Sequence, residues 1–499
     1  MHLTPEEHHA EKDGEKSEIY QVEVSPAGLR LDNHGLPLVP QPTDRHDDPL
    51  NWPCWLKYAV LIQISVMALL GQFSSAAVNP AFVDLAREFK ITTVQASYQT
   101  TVAIACGGVG SLMWIPLANV YGRRPVYLLS TLLTGLTALG SARATSYGAL
   151  IAVRVFNGIG FAAPISLGAG MVVDMFFLHE RGRAMGIFAV FLSNGAHLSP
   201  IPGGFIAETV GWRWCFYLTA ILHGVMFLVM LAMLPETLFF RDASTSTEPA
   251  GSIIGRLRFW GFRTPGRRLH WQDVVRPFQM AVYPSVILCA IYYAVLWGYA
   301  SIEFAVTVAA TFSQLYGFNA GRLGLALGLS LLIGTSLGEL ASGPIMDARM
   351  RRARQRAQGD VVPEVRLGAI WSGAILVPAG LLIYGLSVHF HAPVAAPCIG
   401  MAVSSFGLQV IASVAYTYCS DCYKPQTSEI SSLFNFIRQI FGCTLAFYSI
   451  PFGNKVGYQW SFTVFAVICI IFFLPIVWLM RRGKIVRLSM GSPTFNAGL

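Results

Sequence analysis

The stretch IPLANVYGRRPVYLL, residues 115–129, decides the fold: an apolar run stops at a glycine, two arginines and a proline, and then an apolar run resumes. Two permanent cations are costly in hydrocarbon, whereas a short cationic turn suits a chain re-entering a bilayer from its cytosolic side. Working outward, apolar segments of about 20 residues recur along the chain, each long enough to cross a membrane as a helix. Twelve such segments are readable, six between residues 57 and 234 and six between 283 and 480. The sequence therefore predicts an all-α polytopic membrane protein, with twelve transmembrane helices in two six-helix bundles.

The composition agrees. Hydrophobic residues make up 54% and charged residues 12% of the 499 positions, against ~25% charged in soluble domains. The formal charge of +8 sits mostly in short turns between apolar segments, which argues for cytosolic loops and against nucleic acid as a partner. The 9 cysteines are scattered, and the lone pair Cys419 and Cys422 has no ligand histidine nearby, so neither a disulfide framework nor a metal is expected. There is no HExxH, no phosphate-binding GxxxxGK[ST] and no clustered catalytic constellation. No enzyme activity and no cofactor are predicted.

The expected layout is a disordered cytosolic tail at 1–54, a six-helix bundle at 55–235, a cytosolic loop at 236–282, a second bundle at 283–481 and a cytosolic tail at 482–499. The loop carries Arg256, Arg258, Arg263, Arg267, Arg268 and Arg276, with room for one amphipathic helix against lipid headgroups. Other cations collect at Arg123 and Arg124, Arg181 and Arg183, Arg349 to Arg356, and Arg481 to Arg487. All fall on one side if both termini are cytosolic.

The opening stretch has a partner. PLANVYGRR (116–124) and PIMDARMRR (344–352) both read Pro, two residues, Asn or Asp, three residues, Arg-Arg, and each follows the second span of its half. Such echoes mark transporter halves built from repeats. A looser correspondence places Asp174 and Glu180 after the fourth span and Asp421 and Glu429 after the tenth. Carboxylates and Arg pairs at one depth can form a gate of ion pairs that differ between two conformations, or simply a solvated rim of charge.

These motifs resemble the major facilitator superfamily, specifically the fungal twelve-span drug:proton antiporter family, over residues 51–488. PLANVYGRRPVYL is similar to its loop motif between spans two and three, and VRVFNGIGFAAP to its fourth-span motif centred on Arg154. GAHLSPIPGG, with Gly195, Pro200, Pro202, Gly203 and Gly204, is similar to its antiporter motif of span five, and LNWP, GWRW, PETLFFR and VPEVRL recur in the fungal branch. Two departures stand out. Asn119 replaces the usual Asp of the loop motif, whereas Asp347 keeps the acid in the second copy, so the first-half latch is expected to be the weaker. Ser199 stands where a glycine is usual.

Intramembrane charges are functional candidates by default. Arg154 reads either as a structural cation or as a group near a proton path, the latter implied by the resemblance. Glu303, midway along the seventh span, is a candidate proton or cation site. Arg438 could hold an anionic substrate or a carboxylate such as Glu303. Glu339 reads as an interfacial partner for a loop arginine, and His197 and His223 as packing residues that could titrate. The gate set is Asn119, Arg123, Arg124, Asp174, Glu180, Asp347, Arg351 and Arg352. The resemblance implies a plasma-membrane transporter, expected to be a monomer, that exports a small organic molecule in exchange for protons. Uptake by proton symport and a non-transporting sensor are the alternatives.

Overall fold

Helices form wherever the sequence stays apolar for some 20 residues, because a backbone in hydrocarbon must satisfy its own polar groups. The computed structural model describes residues 30–31, 38–239, 254–257, 269–357, 362–491 and 493. Among these, 12 helices are long and apolar enough to span a membrane. Spans 1 to 6 are Cys54–Phe89, Thr93–Tyr121, Arg123–Ala142, Tyr147–Met175, Leu178–Val210 and Arg213–Met233. Spans 7 to 12 are Pro284–Tyr316, Ala320–Gln355, Pro363–His389, Ala395–Cys422, Thr427–Val456 and Tyr458–Met490. With an even number of spans, the start of span 1 and the end of span 12 lie on one face, here the terminal face.

Local sequence explains the breaks. Span 2 starts with a reciprocal capping box between Thr92 and Gln95, and it ends at Gly122, whose φ of 97° is open to glycine alone. Span 7 is interrupted by a π-helical turn at Gly298–Ile302, immediately before Glu303. Such insertions recur at functional positions in helices.

Two parts of the layout differ from expectation. The end of the N-terminal tail is packed against the protein, with Asp47, Asp48, Leu50 and Trp52 buried and Leu178 N donating to Val39 O at 2.8 Å. The C-terminal boundary at 482 is also displaced, because span 12 continues as helix to Met490. In the central loop a short helix, Trp271–Gln279, leads into span 7 with Trp271 exposed, as suits an interfacial helix. Arg258, Arg263, Arg267 and Arg268 lie outside the described residues.

The apolar core is asymmetric. One continuous cluster runs through the second half and into the outer end of the first, taking in Phe73, Phe82, Trp212 and Phe216. The terminal-face part of the first half, from Trp52 and Val60 to Met175 and Leu234, forms a cluster of its own. The apolar core is thus shared by the halves at the face away from the termini and divided towards the terminal face.

Candidate functional site

Two seams join the halves. Along the first, span 5 meets span 8 through glycines: a Cβ on Gly204 would collide with Ala320 O, and one on Gly324 with Pro200 O. Gly195 and Gly203 of the same motif face span 1 instead, against Leu69 O and Ala77 O. Close backbone approach lets helices pack without a hydrophobic driving force. Polar side chains line the same seam. His197 Nε2 lies 3.3 Å from Ser301 Oγ and its Nδ1 3.1 Å from Thr335 Oγ1, so one residue of the first half bridges spans 7 and 8. Ser336 reaches Asn194 at 3.4 Å, and Gln409 donates to Ser193 at 3.2 Å and to Glu339. At the outer end Glu208 accepts from Asn319 Nδ2 at 2.6 Å and from Gly321 N at 3.1 Å, an acidic cap across the halves on the N-terminus of span 8.

The second seam, between spans 2 and 11, is less polar. Gly108 abuts Gln439, and Tyr98 packs on Phe447 with ring centroids 4.9 Å apart. Val94 and Tyr98 also pack against Val306, Ala310, Ala446 and Ile450 near the outer face.

The intramembrane charges do not gather into one cluster. Arg154, fully buried, donates to Gln99 O at 3.3 Å, Ser74 O at 3.1 Å, Ser75 O at 3.2 Å and Asn157 Oδ1 at 2.7 Å. Ser74 and Ser75 supply the last carbonyls of the straight helix Cys54–Ala76, so the guanidinium neutralises the negative end of that helix. Glu303, also fully buried, accepts from Ser449 Oγ, and its Oε1 has no hydrogen-bond partner among the described residues. Arg438 donates to Tyr293 OH at 3.1 Å and lies 4.9 Å from the Trp297 ring centroid. It does not pair with Glu303 in this arrangement. Glu339 takes Gln409 and, at 3.3 Å, Ser413 rather than a loop arginine. His223 is bonded within its own helix, to Thr219 O at 2.8 Å, as a packing residue would be.

On the terminal face Arg123 Nε lies 2.9 Å from Asp174 Oδ2. Its neighbour Arg124 meets carbonyls instead, those of Leu231 and Leu257, and is only 1% exposed. Glu236 receives both backbone N–H groups of the pair, Arg123 N at 2.9 Å and Arg124 N at 3.0 Å, and so caps span 3. Glu236 is tied in turn to a knot from the tail and the central loop. Arg256 donates to Glu236 O at 2.9 Å and pairs with Asp47 at 3.3 Å, while Arg45 pairs with Asp47 at 2.9 Å. Burial pushes the Asp47 carboxyl up, but Arg45 and Arg256 outweigh it and hold it below its ordinary value; burial lowers the Arg256 guanidinium. Glu180 lies near enough to Lys57 to sense its charge.

The second copy of the motif behaves differently. Its helix runs unbroken through Ala320–Ala357, and Asp347, Arg351 and Arg352 are exposed, with Arg351 donating to the backbone oxygen of Asp347 at 3.4 Å. The counterpart of Arg123 is Arg366 of VPEVRL, 2.7 Å from Asp421, and the counterpart of the Glu236 tie is Glu364 with Arg487 at 3.1 Å. In this arrangement the first-half turn is the tied one, at the break that Gly122 makes. Sequence reasoning passed over Glu236 and ranked His197 low. The available signal for Glu236 was a lone acid directly after span 6, facing a helix that begins with two arginines.

Comparisons with known proteins complete the picture. A family model described as Major Facilitator Superfamily matches residues 64–447. The chain is 28% identical to the efflux pump radE of Floropilus chiversii, over 89% of this chain and 84% of that protein. It is 28% identical to the MFS-type transporter penM of Penicillium rubens, over 89% and 88% of the two chains. Its fold matches a bacterial homologue of the human lysosomal transporter Spinster, crystallised inward-facing and unoccupied, with a TM-score of 0.60 at 13% identity over 87% of this chain and 98% of that one.

Proposed function

The chain belongs to the Major Facilitator Superfamily and is a multi-pass membrane transporter of small molecules, and from that premise we propose that it exports an organic molecule in exchange for protons. The observation that carries the proton-coupled reading is Glu303. It is a fully buried carboxyl beside a π-helical turn, with one oxygen unpartnered and no cation among the described residues to answer it. A carboxyl so placed is a natural carrier for the coupling proton, since an unanswered charge in the membrane interior is costly and a neutral acid is not.

The terminal face is the cytosolic one in this reading, supported by the Arg-rich turns collected there. The arrangement is then an inward-facing one: Glu208 and the Tyr98 contact close the outer side, while the ion pairs Arg123–Asp174, Arg366–Asp421 and Arg487–Glu364 each stay within a half. Rocking of the halves about the glycine seam would expose the centre alternately. Export, rather than uptake, is supported by the efflux activity named for the Floropilus relative and by the span-5 motif. The plasma membrane is the proposed location, with protons and one small organic molecule as partners and the monomer as the working unit.

The test is accumulation of a compound panel in yeast lacking its own pumps, with and without a protonophore. Gradient-dependent efflux of at least one compound is expected, and Glu303→Gln should abolish the gradient dependence with surface expression unchanged. Gradient-dependent uptake in place of efflux would overturn the direction, and unaltered coupling in Glu303→Gln would overturn the role of that carboxyl.

A further inference from the structure

Of the intramembrane charges Arg154, Glu303, Glu339 and Arg438, Arg154 and Glu339 are each answered by two or more polar groups. Arg154 has three carbonyls and an amide oxygen, Glu303 a serine hydroxyl, and Glu339 a glutamine and a serine. Arg438 stands apart. It is 7% exposed, its one hydrogen-bond acceptor is the Tyr293 hydroxyl, and its Nε has no partner among the described residues. No carboxylate among the described residues pairs with it. A guanidinium carries five N–H donors in a rigid fork and cannot shed its charge, so burying it with so few acceptors leaves an unmet demand for an anion.

The surroundings say what kind of anion fits. Trp297 presents its ring to the guanidinium with its centroid 4.9 Å away, and Tyr293 meets it through its hydroxyl. Tyr416 stands edge-on to Tyr293 at 5.7 Å and packs on Phe434 at 4.6 Å. Flat aromatic walls around a fixed cation suit a flat, aromatic acid, whose ring stacks while its oxygens take the fork. The place also adjoins the seam between the halves. Tyr416 follows Gln409 and Ser413 at i+7 and i+3, on the face of span 10 from which Gln409 crosses to Ser193 of the first half. Along span 11, Arg438 lies roughly 16 Å from the start of the helix at Thr427, too deep for an ordinary lipid headgroup.

We infer that Arg438, beside Trp297 and Tyr293 with Tyr416 packed on Tyr293, is the seat for the carboxylate or phenolate of an aromatic organic acid, which makes the cargo an organic anion. This rests on the transporter reading but not on the direction of transport. The same oxygen chemistry could come from a lipid phosphate, and the test separates the two sources.

The experiment measures equilibrium binding, without any gradient, to the full chain in nanodiscs. The probes are 2-naphthoate, its methyl ester and 2-naphthylmethylammonium. In phosphatidylcholine, wild type should bind the acid at least about tenfold more tightly than the ester or the ammonium, as expected for charge-assisted bonds. Arg438→Gln should remove that preference, and Arg438→Lys should keep part of it, since an ammonium supplies charge without the fork. Equal binding of acid and ester by wild type, including no binding of either, overturns the inference and needs no variant to fold. Retention of the preference in folded Arg438→Gln overturns it too. Loss of the preference when phosphatidylglycerol is added assigns the seat to a lipid and overturns the cargo claim. An acid preference that survives while gradient-dependent efflux is absent leaves the anion seat standing and removes only the export reading.

Discussion

The motif copies PLANVYGRR and PIMDARMRR share a spelling but not a fold. The first breaks at Gly122, buries Arg124 and hands two backbone N–H groups to Glu236. The second has Met350 where the first has Gly122, so its helix runs on and its Arg pair points to solvent. What replaces it lies further along the chain. The start of span 9 is tied to the end of span 10 by Arg366 and Asp421, as the start of span 3 is tied to the end of span 4 by Arg123 and Asp174. The tie to the last span of each half survives with its charges exchanged: acid after span 6 in the first half, arginine near the end of span 12 in the second. The lesson is that a repeat conserves which helices must be fastened together, while the residues that fasten them are free to move.

The largest effect is expected at the two exchanged ties. Glu236→Ala strips the cap from span 3 and leaves a buried guanidinium beside it, at a cost of about 3–5 kcal/mol. Glu364→Ala removes one bond to a partly exposed arginine, at about 1–3 kcal/mol. Thermal unfolding of the purified proteins measures both, and equal losses would mean that exchanging the charges leaves the strength of the tie unchanged.

A smaller effect is expected at the break itself. Gly122→Ala forces a side chain into a backbone region open to glycine and towards Glu236, at about 1–3 kcal/mol. Met350→Gly, the mirror change, should leave the helix unbroken and costs about 1 kcal/mol as an ordinary helix glycine. A Gly122→Ala protein as stable as wild type would show that the break is not what sets the copies apart.

The smallest effects separate the true counterparts from the apparent ones. Asp174→Asn and Asp421→Asn should each cost about 0.5–1 kcal/mol, whereas Asp347→Asn and Arg352→Ala should stay within about 0.5 kcal/mol. If Asp347→Asn were as damaging as Asp421→Asn, sequence register would have been the better guide to equivalence.

What the sequence determined by itself was everything that depends on local sums. Twelve spans, two halves, cationic turns on one face and the intramembrane charges Arg154, Glu303 and Arg438 all follow from hydropathy and helix length, because a segment's transfer from water to lipid is the total of its own residues. The nearness of Arg123 to the acids after span 4 was also legible, since both close adjacent turns. The tertiary structure alone decided who answers whom. Arg154 found carbonyls at a helix end, Arg438 found aromatic rings rather than Glu303, His197 bridged the halves, and Glu236 capped a helix more than 100 residues away in the chain. Each of these depends on the rotation of a helix about its own axis, where one residue is a turn of about 100°. That rotation is set by packing against neighbours distant in sequence, which no local pattern records.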